Sequence, residues 1–131
     1  MTTITMRNLH LATEQQVFDQ VAKHLLTQNA KALAWSGGCQ YRLLLDDGTV
    51  LKCAVGCLIA DNEYGSKIEG ELYGSNEFNE FFGFKDEVPH FFLLRRFQSL
   101  HDSYDVSTWK ERLEQIALDF NLNTDILEEF N

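Results

Sequence analysis

The sequence predicts an α+β fold, predominantly helical, with one β-hairpin packed against five or six α-helices. Three observations carry this. Apolar residues recur at helical spacing in several separate stretches. A single Asp-Gly pair, Asp47-Gly48, sits between two short β-prone runs, the strongest local hairpin signal. No repeat, low-complexity tract or linker interrupts the 131 residues, so residues 1–131 read as one compact domain, long enough to bury a core without crosslinks. The apolar share of 44% and the single proline exclude a disordered chain.

The elements follow in order. The stretch before Thr13 reads as a short strand or an arm. Thr13 and Gln16 make a capping box. Val17, Phe18, Val21, Leu25 and Leu26 then form one apolar stripe, and Asn29 is the stop. Gly37 and Gly38 in "AWSGGCQ" break the helix. In the hairpin "YRLLLDDGTVLK", Tyr41, Leu43 and Leu45 share one face, and Arg42 and Leu44 the other. The next run is apolar all round, which predicts a short buried helix from Ala54 to Ala60. Asp61 to Gly74 carries three glycines and reads as a loop.

Beyond it the chain reads as helical. Ser75 caps a helix carrying Phe78, Phe81 and Phe82. Pro89 suits a first helical turn, ahead of a stripe of Leu93, Phe97, Leu100 and Tyr104. Trp109, Leu113, Ile116, Ala117 and Phe120 give the cleanest amphipathic pattern, capped by Ser107 or Thr108. Asn123 or Thr124 starts a last turn holding Ile126, Leu127 and Phe130.

Charge and composition restrict function. No segment approaches the roughly 18 uninterrupted apolar residues of a membrane span, and the first residues lack the basic and apolar regions of a signal peptide. The expectation is a cytoplasmic protein with no membrane partner and three free thiols. The formal net charge of −9 opposes direct nucleic-acid binding, which needs a basic surface. Between Asp61 and Glu87 eight acids face two lysines. Such a run reads either as a solvated face or as a docking surface for a basic partner.

The candidate chemistry is sparse. Cys39, Cys53 and Cys57 have the spacing C-x13-C-x3-C. Zinc sites need four ligands, and the polar knuckle that usually holds them is replaced by Ala54 and Val55. Buried packing is the plainer reading. A cysteine nucleophile needs a nearby base. Cys39 and His101 are the weak catalytic candidates, but adjacent helical residues point about 100° apart, so Asp102 is not expected to orient the ring of His101. His101 reads as a surface or boundary residue. Arg95-Arg96 reads as a source of surface ion pairs, with anion binding as the sharper alternative. Phosphate loops, nucleophile elbows and calcium loops are absent, and no cofactor is expected.

The stretches "CQYR", "KCAVGCLIADNEYG", Glu69-Gly70 and "FQSLHD" together resemble small proteins carried by tailed phages, prophages and other mobile elements, whose function is unassigned. The resemblance covers roughly Thr13 to Phe120. It implies an accessory protein that acts by binding a host component, and it brings no catalytic residues.

The resulting expectation is a non-enzymatic accessory protein that contacts a host protein, or a second copy of itself as a homodimer, through an acidic surface. The expected binding residues are Asp61, Glu63, Tyr64, Arg42 and Arg95. Two alternatives stand beside it. One is a small-ligand, nucleotide-like binder between the hairpin and the helices. The other is a cysteine-dependent hydrolase or zinc-binding domain using Cys39, Cys53 and Cys57.

Overall fold

The structure, a computed structural model, describes residues 3–33 and 40–130. Trp35, Gly37, Gly38 and Cys39 lie outside the described residues. Four α-helices run through the chain: α1 (Glu14–Gln28), α2 (Asn76–Phe82), α3 (Phe91–Ser103) and α4 (Trp109–Asp119). Strands β1 (Arg42–Leu44) and β2 (Val50–Lys52) form an antiparallel hairpin with Leu43 opposite Leu51. The fold is thus α+β and mainly helical, but with four α-helices among the described residues rather than five or six.

The helical core follows the periodic stripes. In α1 the Thr13–Gln16 capping box forms in both directions, and Asn29 closes the helix in the left-handed conformation. Such a cap stabilises by about 1 kcal/mol. Val17, Phe18, Val21 and Leu25 are fully buried and meet α3 and α4. Phe18 and Phe97 stack with ring centroids 5.8 Å apart. Trp109, Leu113, Ile116 and Ala117 bury the inner face of α4. Arg96 bonds Asp119 at 2.8 Å, the surface ion pair expected of the Arg95-Arg96 dipeptide.

The ends of several elements differ from the sequence reading. Ala54–Ala60 is not an α-helix. It is a pair of turns around a 3-10 turn, Gly56–Leu58, and the chain is extended again by Ile59. The cause is contact from outside the segment. A Cβ on Gly56 would overlap the carbonyl of Tyr41, and the Val55 N–H is taken by the side chain of Gln98 on α3. The last turn is likewise 3-10, over Asp125–Glu129.

Residues 3–12 form neither strand nor free arm. A 3-10 turn spans Leu9–Leu11, and Gln20 brackets Ile4 by accepting from its N–H and donating to its carbonyl, both at 2.8 Å. Pro89 precedes α3 instead of entering it. His90 supplies the N-cap at φ 60° and donates from Nε2 to the Ala12 carbonyl. Thr108 holds the N-cap position of α4, as expected, but its side chain makes no capping bond; the capping side chain is Asp105, which accepts from the Ser107 N–H at the head of the preceding 3-10 turn, Val106–Thr108.

The hairpin turns through Leu45–Gly48 with Gly48 at φ +91°, the left-handed position that closes a three-residue loop. Both outer edges are then covered. On β2, Gln28 accepts from the Lys52 N–H and donates to its carbonyl at 2.9 Å. On β1, the Glu69 carboxylate accepts from the Tyr41 and Arg42 N–H groups at 2.9 and 3.1 Å. A two-stranded hairpin is marginal alone, and these side chains supply the missing neighbours. Beyond the clamps the tip is bare: Leu44 is 69% exposed.

Candidate functional site

The two described thiols, those of Cys53 and Cys57, turn to different partners. Cys53 is buried, and its Sγ accepts from the Gly56 N–H. Cys57 is partly exposed as a residue but turns its thiol onto the Ala54 carbonyl at 3.1 Å. Burial pushes the Cys57 thiol up to about 12, the Lys52 charge opposing weakly. That disfavours the thiolate, which is the nucleophile and metal ligand. Cys39 lies outside the described residues. Among the described residues no group of three or more histidine, cysteine or carboxylate side chains is placed to hold a metal ion.

His101 corrects the sequence reading. It is fully buried, not a surface or boundary residue. Asp102 does reach it: Nδ1–H donates to the Asp102 Oδ1 at 2.7 Å. The carboxylate is drawn back over α3 by Gln98, one turn earlier, whose Nε2 donates to the same oxygen at 3.0 Å. On its other side His101 Nε2 accepts the Ala32 N–H at 3.0 Å. The lone pair that a general base would use is therefore occupied by backbone, and the ring stacks on Trp109 with centroids 5.7 Å apart. The arrangement serves to pin the chain after α1 onto α3.

Three of the five expected binding residues meet. The Arg42 guanidinium lies 4.6 Å from the centre of the Tyr64 ring and bonds Asp61 at 2.5 Å. Tyr64 donates to Glu69 at 2.6 Å. Burial, followed by Glu69, pushes the Tyr64 phenol up to about 12. Glu69, absent from the expected set, is the hub: its two oxygens hold β1 and Tyr64 together. The signal available for it was the Glu69-Gly70 pair, with Gly70 at φ +86° turning the chain. Glu63 faces elsewhere. Its carboxylate accepts the N–H groups of Met6, Arg7 and Ala60 within 3.2 Å, tying the first residues to the loop. Arg95 lies on α3, exposed and apart from this network.

These bonds commit part of the acidic run to contacts within the fold. Glu63 and Glu69 serve the backbone, and Asp61 is paired with Arg42. Glu77, Glu80, Asp86 and Glu87 remain exposed on α2 and the turn after it, and they take part in none of the ion pairs among the described residues. Interleaved with them are Phe81, Phe82 and Phe84, half-buried and stacked in series. The three rings form one wall of a groove of about 450 Å³, with Arg7 and His10 among the residues across from them.

No helix of the described residues is long and apolar enough to cross a membrane. The chain matches no protein-family model, and no curated protein or solved structure shows significant similarity to it.

Proposed function

We propose that this chain is a non-enzymatic, cytoplasmic accessory protein of a mobile element that binds a basic segment of a host protein. The observation that carries the proposal is the surface around α2. Four exposed carboxylates that form no ion pair among the described residues alternate with the half-buried rings of Phe81, Phe82 and Phe84. Carboxylates of one sign raise the rate of encounter with a basic partner and select against acidic ones. Aromatic side chains at the centre of such a face supply the apolar contact that holds the complex. A second copy of the chain suits this face poorly, because it brings another net charge of −9.

The reading rests also on what the other candidates do. The Glu69 and Glu63 carboxylates are committed to backbone N–H groups, and the Cys57 thiol is held protonated. The test is capture of host proteins on the wild-type chain and on a chain carrying Glu77→Lys, Glu80→Lys, Asp86→Lys and Glu87→Lys. A protein retained by the first, lost from the second and eluted by moderate salt supports the proposal. Equal retention by both contradicts it.

A further inference from the structure

A larger cavity shares no described residue with the groove beside α2. It holds about 560 Å³ between residues 3–12, α1 and the last 3-10 turn. Ile4, Leu11 and Ile126 are among its apolar walls. Leu11 is 75% exposed, so its apolar surface is not spent on the core. Most of the polar wall is committed to backbone. Asn8 accepts from the Thr5 N–H at 2.8 Å, Gln16 accepts from the Thr13 N–H at 2.9 Å, and Gln20 holds Ile4 from both sides. Two charged side chains remain, Asp19 and Lys23, and no other charged side chain lines the described walls. They stand one turn apart on α1, acid first, the order that favours an ion pair along a helix. Yet neither takes part in any ion pair among the described residues. Asp19 gives one oxygen, Oδ1, to the Gln15 side chain at 2.9 Å.

These walls select a ligand that carries both charges. A simple cation is attracted by Asp19 and repelled by Lys23, and a simple anion meets the reverse. A zwitterion satisfies the two together: its ammonium donates to the aspartate, and its carboxylate accepts from the lysine. In an α-amino acid the two charged groups sit on one carbon, which matches side chains one helical turn apart, the lysine being long and flexible. The volume lies within the usual range for a small-molecule site, where an apolar wall carries a few polar groups that fix orientation. We propose that this cavity binds an α-amino acid with an apolar side chain, its ammonium group facing Asp19, its carboxylate facing Lys23 and its side chain lying against Leu11 and Ile126.

The test uses the full chain and three compounds of one shape: L-leucine, isopentylamine, which lacks the carboxylate, and isocaproate, which lacks the ammonium. Melting temperature and ¹H–¹⁵N chemical shifts are followed through each titration. The expected result is a saturable rise in melting temperature with leucine, with affinity for each of the other two weaker by about fivefold or more, the worth of one partly exposed charge contact. The shift changes should centre on Ile4, Leu11, Asp19 and Lys23. Two variants assign the charges. Asp19→Asn keeps an oxygen for Gln15, and Lys23→Gln changes an exposed side chain, so both are expected to melt as the wild type does. Asp19→Asn should weaken leucine about fivefold without weakening isocaproate, and Lys23→Gln should weaken leucine by a similar factor without weakening isopentylamine. Absence of saturable leucine binding, equal affinity for the three compounds, shifts centred on another surface, or leucine affinity unchanged in both variants each overturns the proposal.

Discussion

Gly56 lies directly against the carbonyl of Tyr41: a Cβ on Gly56 would overlap the oxygen and stand 2.9 Å from the carbonyl carbon. The opposing atoms are backbone, so no side chain can rotate away. This contact is what lets the buried 3-10 turn lie behind the start of β1. Gly56→Ala is expected to lower stability by about 1–3 kcal/mol or more, the usual range for overpacking. Equilibrium urea unfolding measures it, and an unchanged midpoint would show that the two segments can part at little cost.

Glu69 clamps the start of the same strand through its N–H groups. Removing its carboxylate leaves the N–H groups of Tyr41 and Arg42 and the Tyr64 hydroxyl without their acceptor. Glu69→Ala should therefore cost about 1–3 kcal/mol. Glu69→Gln keeps one acceptor oxygen and should cost less. Hydrogen exchange at Tyr41 and Arg42 should accelerate in the alanine variant. Were both variants as stable as the parent, the hairpin would owe its position to packing alone.

His24 gives the fold a pH dependence of known sign. Burial lowers its pKa from 6.5, opposed by its hydrogen bond to the Lys52 carbonyl and reinforced by Lys52 and His101. The unfolded chain then takes up the proton before the native one does. The stabilisation is present above pH 6.5 and is lost as pH falls through the lower native value. His24→Gln can still donate to the Lys52 carbonyl but does not titrate. Its urea midpoint should fall less between pH 7 and pH 5 than that of the parent, and parallel curves would remove His24 as the cause.

The thiols offer a kinetic check. With its ionisation raised to about 12, Cys57 should react with iodoacetamide at pH 8 far more slowly in the native chain than in urea. Cys53, fully buried, should behave likewise. Mass spectrometry after timed quenching resolves the sites. Native labelling of Cys57 at the unfolded rate would mean that its thiolate is accessible.

Local signals were legible where local chemistry decides the structure. The Thr13–Gln16 box, the Asn29 stop, the Asp47-Gly48 turn and the Trp109 to Ala117 stripe all depend on residues within a few positions of one another. Ala54–Ala60 was not legible, because an all-apolar run does not distinguish an α-helix from tight turns. Gly56 against Tyr41 and Val55 against Gln98 decide that question, and both partners lie outside the run. The same applies to the carboxylates. Glu63, Glu69, Glu77 and Glu80 look alike in a list of acids, yet the first two are spent on backbone N–H groups of distant segments. For His101 the adjacent Asp102 was visible, but Gln98, which draws its carboxylate back along α3, gave no sign in the pattern. Arg42, Asp61 and Tyr64 did meet, as part of a network that holds the hairpin.

The central claim is that the carboxylates around α2 recruit a basic host segment. The direct measurement is the affinity of the captured host protein for the wild type and for the chain with Glu77, Glu80, Asp86 and Glu87 all changed to lysine, across a salt series. The account predicts binding that weakens as salt is raised from about 0.05 to 0.5 M, as the screening length falls below about 10 Å, and at least a tenfold loss in the variant with its melting curve retained. Affinity that is indifferent both to salt and to the four substitutions would contradict it.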